Sequence, residues 1–203
     1  MTDKPFLTRR SFFQRLLGRG QDGQSFFALQ LVFDTGPRED LHRELRRIMA
    51  ELGGDDPDTL RRTYKRLVDT LLRARGAWEF AYFEYIPDPE DAPEAFDHWV
   101  TDIEDAIAAE AHDPYDPFVV ERYVAVSIVL LLDHPWPLHG QAHAADWFYS
   151  REGLEELLRS VARVDYDGAL AYGAFVVPDD ELTGITREDL DDEGWDYLQP
   201  ILI

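Results

Sequence analysis

The stretch that most constrains this chain is Tyr123–Leu132, Tyr-Val-Ala-Val-Ser-Ile-Val-Leu-Leu-Leu, which ends at Asp133-His134-Pro135. Ten residues are too few to cross a bilayer, which takes about 20 apolar residues. A run that is rich in β-branched residues and apolar on both faces reads as a strand in the middle of a sheet. The rest of the chain must supply neighbouring strands and something to cover each face.

Three further strands are predicted, Phe26–Phe33, Trp78–Ile86 and Ala169–Val177, the last two closed by Pro87 and Pro178. Between the first two, Leu41, Leu45, Ile48, Met49 and Leu52 fall on one helical stripe. Asp56-Pro57 then reads as an N-cap and first-turn proline for a second helix carrying Leu60, Tyr64, Leu67, Val68 and Leu71. Pro93 opens an acidic linking helix with Phe96, Trp99, Val100 and Ile103 inward. Ser150 caps a helix with Leu154, Leu157, Leu158 and Val161, and Thr186-x-x-Asp189 is a capping-box pattern. Asp165-x-Asp167-Gly168 lacks the later acid of a calcium loop and reads as a turn.

The order β-αα-β, linking helix, β-α-β predicts an α+β fold, a ferredoxin-like sandwich with a four-stranded, largely antiparallel sheet and helices packed on it. Residues 1–23 form a basic flexible arm, and residues 24–203 form one domain with an acidic C-terminal tail. Each strand has a bulky face and a slighter one. Phe27, Leu29, Leu31 and Phe33 oppose Phe26, Ala28 and Gln30; Trp78, Phe80 and Tyr82 oppose Ala81. Val124, Val126, Ile128 and Leu130 oppose Ala125 and Ser127; Leu170, Tyr172 and Val176 oppose Ala171 and Gly173. The slighter face, with Ala125, Ser127, Ala171 and Gly173 at its centre, is either capped by the linking helix or left for a partner. Left bare, it predicts a homo-oligomer.

Charge narrows the partners. The chain has 20 Lys+Arg against 41 Asp+Glu, a net charge of −21, which repels phosphate backbones and disfavours nucleic acid. The imbalance is local: Gly76 to Glu121 holds fourteen acidic residues and no Lys or Arg. Glu94, Asp97, Asp102, Glu104 and Asp105 in that segment are candidates for docking a basic protein partner.

Thr8-Arg-Arg-Ser-Phe-Phe-Gln14 resembles a twin-arginine export motif, but Arg15, Arg19 and Asp22 follow where an apolar stretch is needed. Arg9 and Arg10 with Phe12, Phe13, Leu16 and Leu17 fit a short basic amphipathic helix, a peripheral membrane or partner anchor. No stretch is long enough to span a membrane, and the expected setting is soluble and cytoplasmic.

Chemistry is thinly signalled. The absence of cysteine removes thiol catalysis and Cys-based metal sites. His134, His139 and His143, flanked by Asp133 and Asp146, fall in the longest loop and are the metal-ligand candidates, with a metal carrier or metal-dependent enzyme as the reading they support. No nucleophile elbow, phosphate-binding loop or dinucleotide fingerprint occurs, so the residues lean away from an enzyme and no cofactor is expected.

Phe26-Phe-Ala-Leu-Gln-Leu-Val-Phe33, Leu41–Leu52, Tyr64–Arg73 before the aromatic strand at Trp78, Tyr123–Leu132, Gly153–Leu158 and Ala174–Leu182 with Thr186–Leu190 together resemble an uncharacterised family, domain of unknown function 1517, of cyanobacterial and chloroplast proteins. The resemblance spans residues 26–198. It implies no reaction and no catalytic residues, and it favours an accessory or assembly module acting through its surface.

Overall fold

The computed structural model describes residues 7–9, 23–35, 40–52, 56–110, 123–178, 185–191 and 194–202. Among them, β2 (Ser25–Asp34), β3 (Trp78–Ile86), β4 (Tyr123–Leu132) and β5 (Ala169–Val177) are long strands. Two short pieces, β1 (Leu7–Arg9) and β6 (Gln199–Pro200), extend the edges. The sheet runs β1-β5-β4-β2-β3-β6, with every pair antiparallel. The helices are α1 (Leu41–Met49), α2 (Pro57–Arg73), α3 (Ala92–Glu110), α4 (Arg151–Val161) and the one-turn α5 (Arg187–Leu190).

This is the α+β architecture that the apolar pattern predicts. Its strand order differs from a split βαβ sandwich, in which a strand of one half lies between the two strands of the other. Here β2 lies beside β3 and β4 beside β5. The connections explain this: α1 and α2 form a hairpin that returns the chain beside its starting strand, which yields an antiparallel neighbour rather than a crossover. Residues 7–9, expected in a free arm, pair with β5 at Ala171–Gly173.

The central position of β4 follows from its composition. All ten of its residues are buried, and so are nine of the ten in β2. One face of the sheet, with Phe27, Leu29, Val126, Ile128 and Tyr172, packs against α1, α2 and α4. The other face, with Phe26, Ala28, Val32, Ala125 and Phe175, is covered by Phe96, Trp99, Val100 and Ile103 of α3. The linking helix therefore caps the slighter face. Ala125, Ser127, Ala171 and Gly173 are all buried, so none of them is available to a partner.

Two register shifts redistribute the side chains. Phe33 pairs with Trp78 but Val32 pairs with Phe80, leaving Glu79 as an extra residue in β3. A bulge of this kind shifts the alternation by one residue. Trp78 and Ala81 consequently join the α1/α2/α4 layer, while Phe80 and Tyr82 lie in the α3 layer. A second shift, between Leu131 and Leu132, leaves Leu170 as the extra residue in β5 and packs it on the α3 side, opposite to the strict alternation.

The predicted caps form. Asp56 accepts the Thr59 N–H at 2.9 Å, Ser150 accepts the Gly153 N–H at 3.1 Å, and Thr186 and Asp189 make the reciprocal capping box. Asp165 accepts the Asp167 N–H at 3.1 Å, which makes its segment the turn expected.

Candidate functional site

The loop after β4 is held by apolar anchors. Trp136 stacks on Phe27 with ring centroids 3.7 Å apart and a 9° interplanar angle, and both Trp136 and Leu138 are buried. A 3-10 turn at Ala145–Tyr149 then places Phe148 against Phe83. The three histidines go separate ways. His134 Nδ1 lies 3.0 Å from Asp133 Oδ1, where both pack against Gly168. His139 Nδ1 lies 3.0 Å from the Tyr85 hydroxyl, and His143 stacks on Trp147 at 3.6 Å. Among the described residues no group of three or more His, Cys, Asp or Glu is placed to hold a metal ion. The metal reading of His134, His139, His143, Asp133 and Asp146 is thus not met by the geometry: spacing along a loop brings ligands together only when the backbone turns them inward, and here each ring is taken by a local partner.

Of the candidate anchor, Arg9 lies in β1, while Arg10, Phe12, Phe13, Leu16 and Leu17 lie outside the described residues. Among the described residues no helix is long and apolar enough to cross a membrane.

The acidic candidates are placed differently. Glu94, Asp97, Asp102, Glu104 and Asp105 are all exposed on α3. Beside that helix is a cleft of about 660 Å³, bounded by α3, β3 and the segment carrying Trp195 and Tyr197. Its volume falls in the range of binding pockets.

The cleft is built from the sheet upward. Ser127, Gln30 and Tyr82 sit in register across β4, β2 and β3, on the face that looks toward α3. Gln30, only 3% exposed, donates from Nε2 to the Ser127 hydroxyl at 3.0 Å and accepts from the Tyr197 hydroxyl at 2.7 Å. A buried amide in an apolar layer needs such partners, and Gln30 has one on each side. Tyr82 stacks against Trp99 at 5.6 Å and meets Tyr197 edge-on at 5.1 Å. Trp195 stacks with Tyr197 at 6.4 Å.

Carboxylates rim these aromatics. Glu84 accepts the Trp99 indole N–H through one oxygen, and Asp102 lies 3.3 Å from His98 one turn away on α3. Burial pushes the Tyr197 phenol up to about 12, with the negative charges of Asp102 and Asp196 acting in the same direction. Burial likewise raises Tyr82, and Glu84 adds to the rise. Both phenols therefore stay protonated near neutral pH, as hydrogen-bond donors and not as bases. The described lining contains no Lys, Arg, Ser or Thr.

Sequence reasoning found the acids of α3 but missed Gln30, Tyr82, Trp195 and Tyr197 as parts of one site. The only signal was a glutamine in the middle of a buried strand, which demands a polar partner from elsewhere.

The two layers differ electrostatically. Arg66–Glu51, Arg73–Glu44, Arg75–Glu155, Arg159–Glu155 and Arg163–Glu156 lace the α1/α2/α4 surface. On the other layer α3 carries acids and not one Lys or Arg. No protein family, curated protein or solved structure matches the chain.

Proposed function

We propose that this protein is a binding module whose α3 face and adjoining cleft hold a basic segment of a partner protein. The observation that supports this is the pairing of an aromatic-walled cleft with a helix and strand free of Lys and Arg from Gly76 through Glu121. Among the described residues no Lys or Arg pairs with Glu94, Glu104 or Asp105, and Arg187 pairs instead with Asp191 and the Phe80 ring, whereas the opposite layer pairs many of its own charges. A polybasic peptide would be drawn to the carboxylates of the helix, and the steering would be strongest at low ionic strength.

The test is fluorescence anisotropy with a labelled oligolysine peptide, read at low salt and again at physiological salt. Binding should weaken as salt rises. Neutralising three exposed acids, Glu94→Gln, Glu104→Gln and Asp105→Asn, should weaken it about tenfold at low salt. A peptide that fails to bind, or that binds the neutralised variant as tightly, overturns the reading.

A further inference from the structure

The acidic face accounts for attraction, but a helix surface alone gives no reason for a cleft with four aromatic rings in its walls. Resting on the reading of a basic partner, we propose that the cleft is the seat of one anchoring arginine side chain from that partner, selected over lysine.

Three observations carry this. The first is composition: Tyr82, Trp99, Trp195 and Tyr197 bring ring surface together, with Glu84 and Asp102 at the rim. A cation over an aromatic face is attracted by the ring quadrupole, and more strongly as the site is dried. The second is the directionality of the carboxylates. Trp99 engages one oxygen of Glu84, and a guanidinium lying flat on a ring still presents its N–H groups sideways, in its own plane, to a carboxylate at the edge. An ammonium is a compact, strongly hydrated point charge and cannot do both. The third is that the fold already uses this pairing next door. The Arg187 guanidinium sits 4.9 Å over the Phe80 ring, and Phe80 is two residues from Tyr82 on the same face of β3. The layer's aromatic surface thus takes an arginine from within the chain one position away from the cleft.

The occupant is a segment of a protein and not a free small cation because the negative charge extends past the cleft. Glu94, Glu104 and Asp105 lie along α3, and a span of ten or so helical residues covers about 15 Å at 1.5 Å per residue. A ligand confined to the cleft would leave those carboxylates unused.

The experiment uses the full chain and three labelled peptides that differ only at the central position of a lysine-bearing Gly/Ser background: arginine, lysine or citrulline. Anisotropy at moderate salt should rank arginine about fivefold tighter than lysine, with citrulline weakest. Trp195→Leu, which removes the ring, should weaken the arginine peptide more than the lysine peptide and so erase the arginine preference. Asp102→Asn is a second variant that keeps the aromatic walls, and it should shrink the preference as well. The three-acid variant of α3 should weaken all peptides alike and preserve the ranking. Equal affinities for the arginine and lysine peptides, or a preference that survives both Trp195→Leu and Asp102→Asn, overturn the arginine seat while leaving the acidic docking face standing. N-acetylarginine amide that binds as tightly as the arginine peptide overturns it in favour of a small guanidinium ligand. Failure of every peptide to bind removes the docking face and the seat together.

Discussion

The Tyr197 hydroxyl donates a 2.7 Å hydrogen bond to the side-chain oxygen of Gln30, 167 positions earlier in the chain. That bond closes the floor of the cleft and ties the C-terminal segment to the centre of the sheet. Tyr197→Phe removes this one hydrogen bond, at an expected cost of about 1 kcal/mol. Gln30→Ala also strands the buried Ser127 hydroxyl and leaves a cavity, and it should cost at least twice as much. Urea unfolding followed by circular dichroism measures both. A larger loss for Tyr197→Phe than for Gln30→Ala contradicts this account.

Alkaline pH should act through the same phenol. A tyrosine near 10 when unfolded and near 12 when folded holds its proton more tightly in the native state, so the native state binds more protons between those values. Stability is fully present below pH 10 and declines as the pH rises from about 10 through about 12. Tyr64 and Tyr166, raised well above the ordinary value by complete burial, add to the same decline. Denaturation midpoints measured on either side of pH 10 should fall for the native chain and fall less for Tyr197→Phe, and an equal fall would assign the effect to the buried pair alone.

Trp136 tests the account of the loop after β4. Its ring is 3% exposed and stacked on Phe27, so Trp136→Ala should destabilise by about 3–5 kcal/mol, the usual cost of emptying a large aromatic site. Trp136→Phe keeps much of the stack and should cost less than half of that. Thermal melts that show Trp136→Ala near the native chain would mean the loop is not anchored there.

Two glycines should behave oppositely. A Cβ at Gly153 would run into the Trp147 carbonyl, at the start of α4 where Ser150 supplies the cap. Gly153→Ala should therefore cost more than about 2 kcal/mol, because backbone cannot yield as a side-chain tip does. Gly76 has nothing within 4 Å of its would-be Cβ, and Gly76→Ala should be neutral or slightly stabilising through the unfolded chain. Calorimetric melting of the two variants separates them.

The strands were legible because their signals are local. Tyr123–Leu132 is apolar on both faces and bounded by Asp133-His134-Pro135, and Trp78–Ile86 and Ala169–Val177 stop at prolines, so each observed strand keeps the limits that its residues suggest. The helix caps at Asp56, Ser150 and Thr186 were legible for the same reason. Strand order was not, because neighbours are chosen by how the intervening helices return the chain. Nor were the bulges at Glu79 and Leu170: a residue becomes extra only relative to the strand it pairs with. The displacement at Glu79 is what lets Trp78 pack in the α1/α2/α4 layer while Phe80 and Tyr82 face α3. The acids of α3 could be read as a patch, but their meeting with Gln30, Trp195 and Tyr197 depends on contacts across most of the chain.

The uneven dressing of the two layers also bears on self-association. A two-fold axis through the α3 face would set each copy's Glu94, Glu104 and Asp105 against the same carboxylates of its mate, since an isologous contact matches a patch with itself. Like charges brought face to face repel, so a two-fold contact through this one face carries an electrostatic penalty.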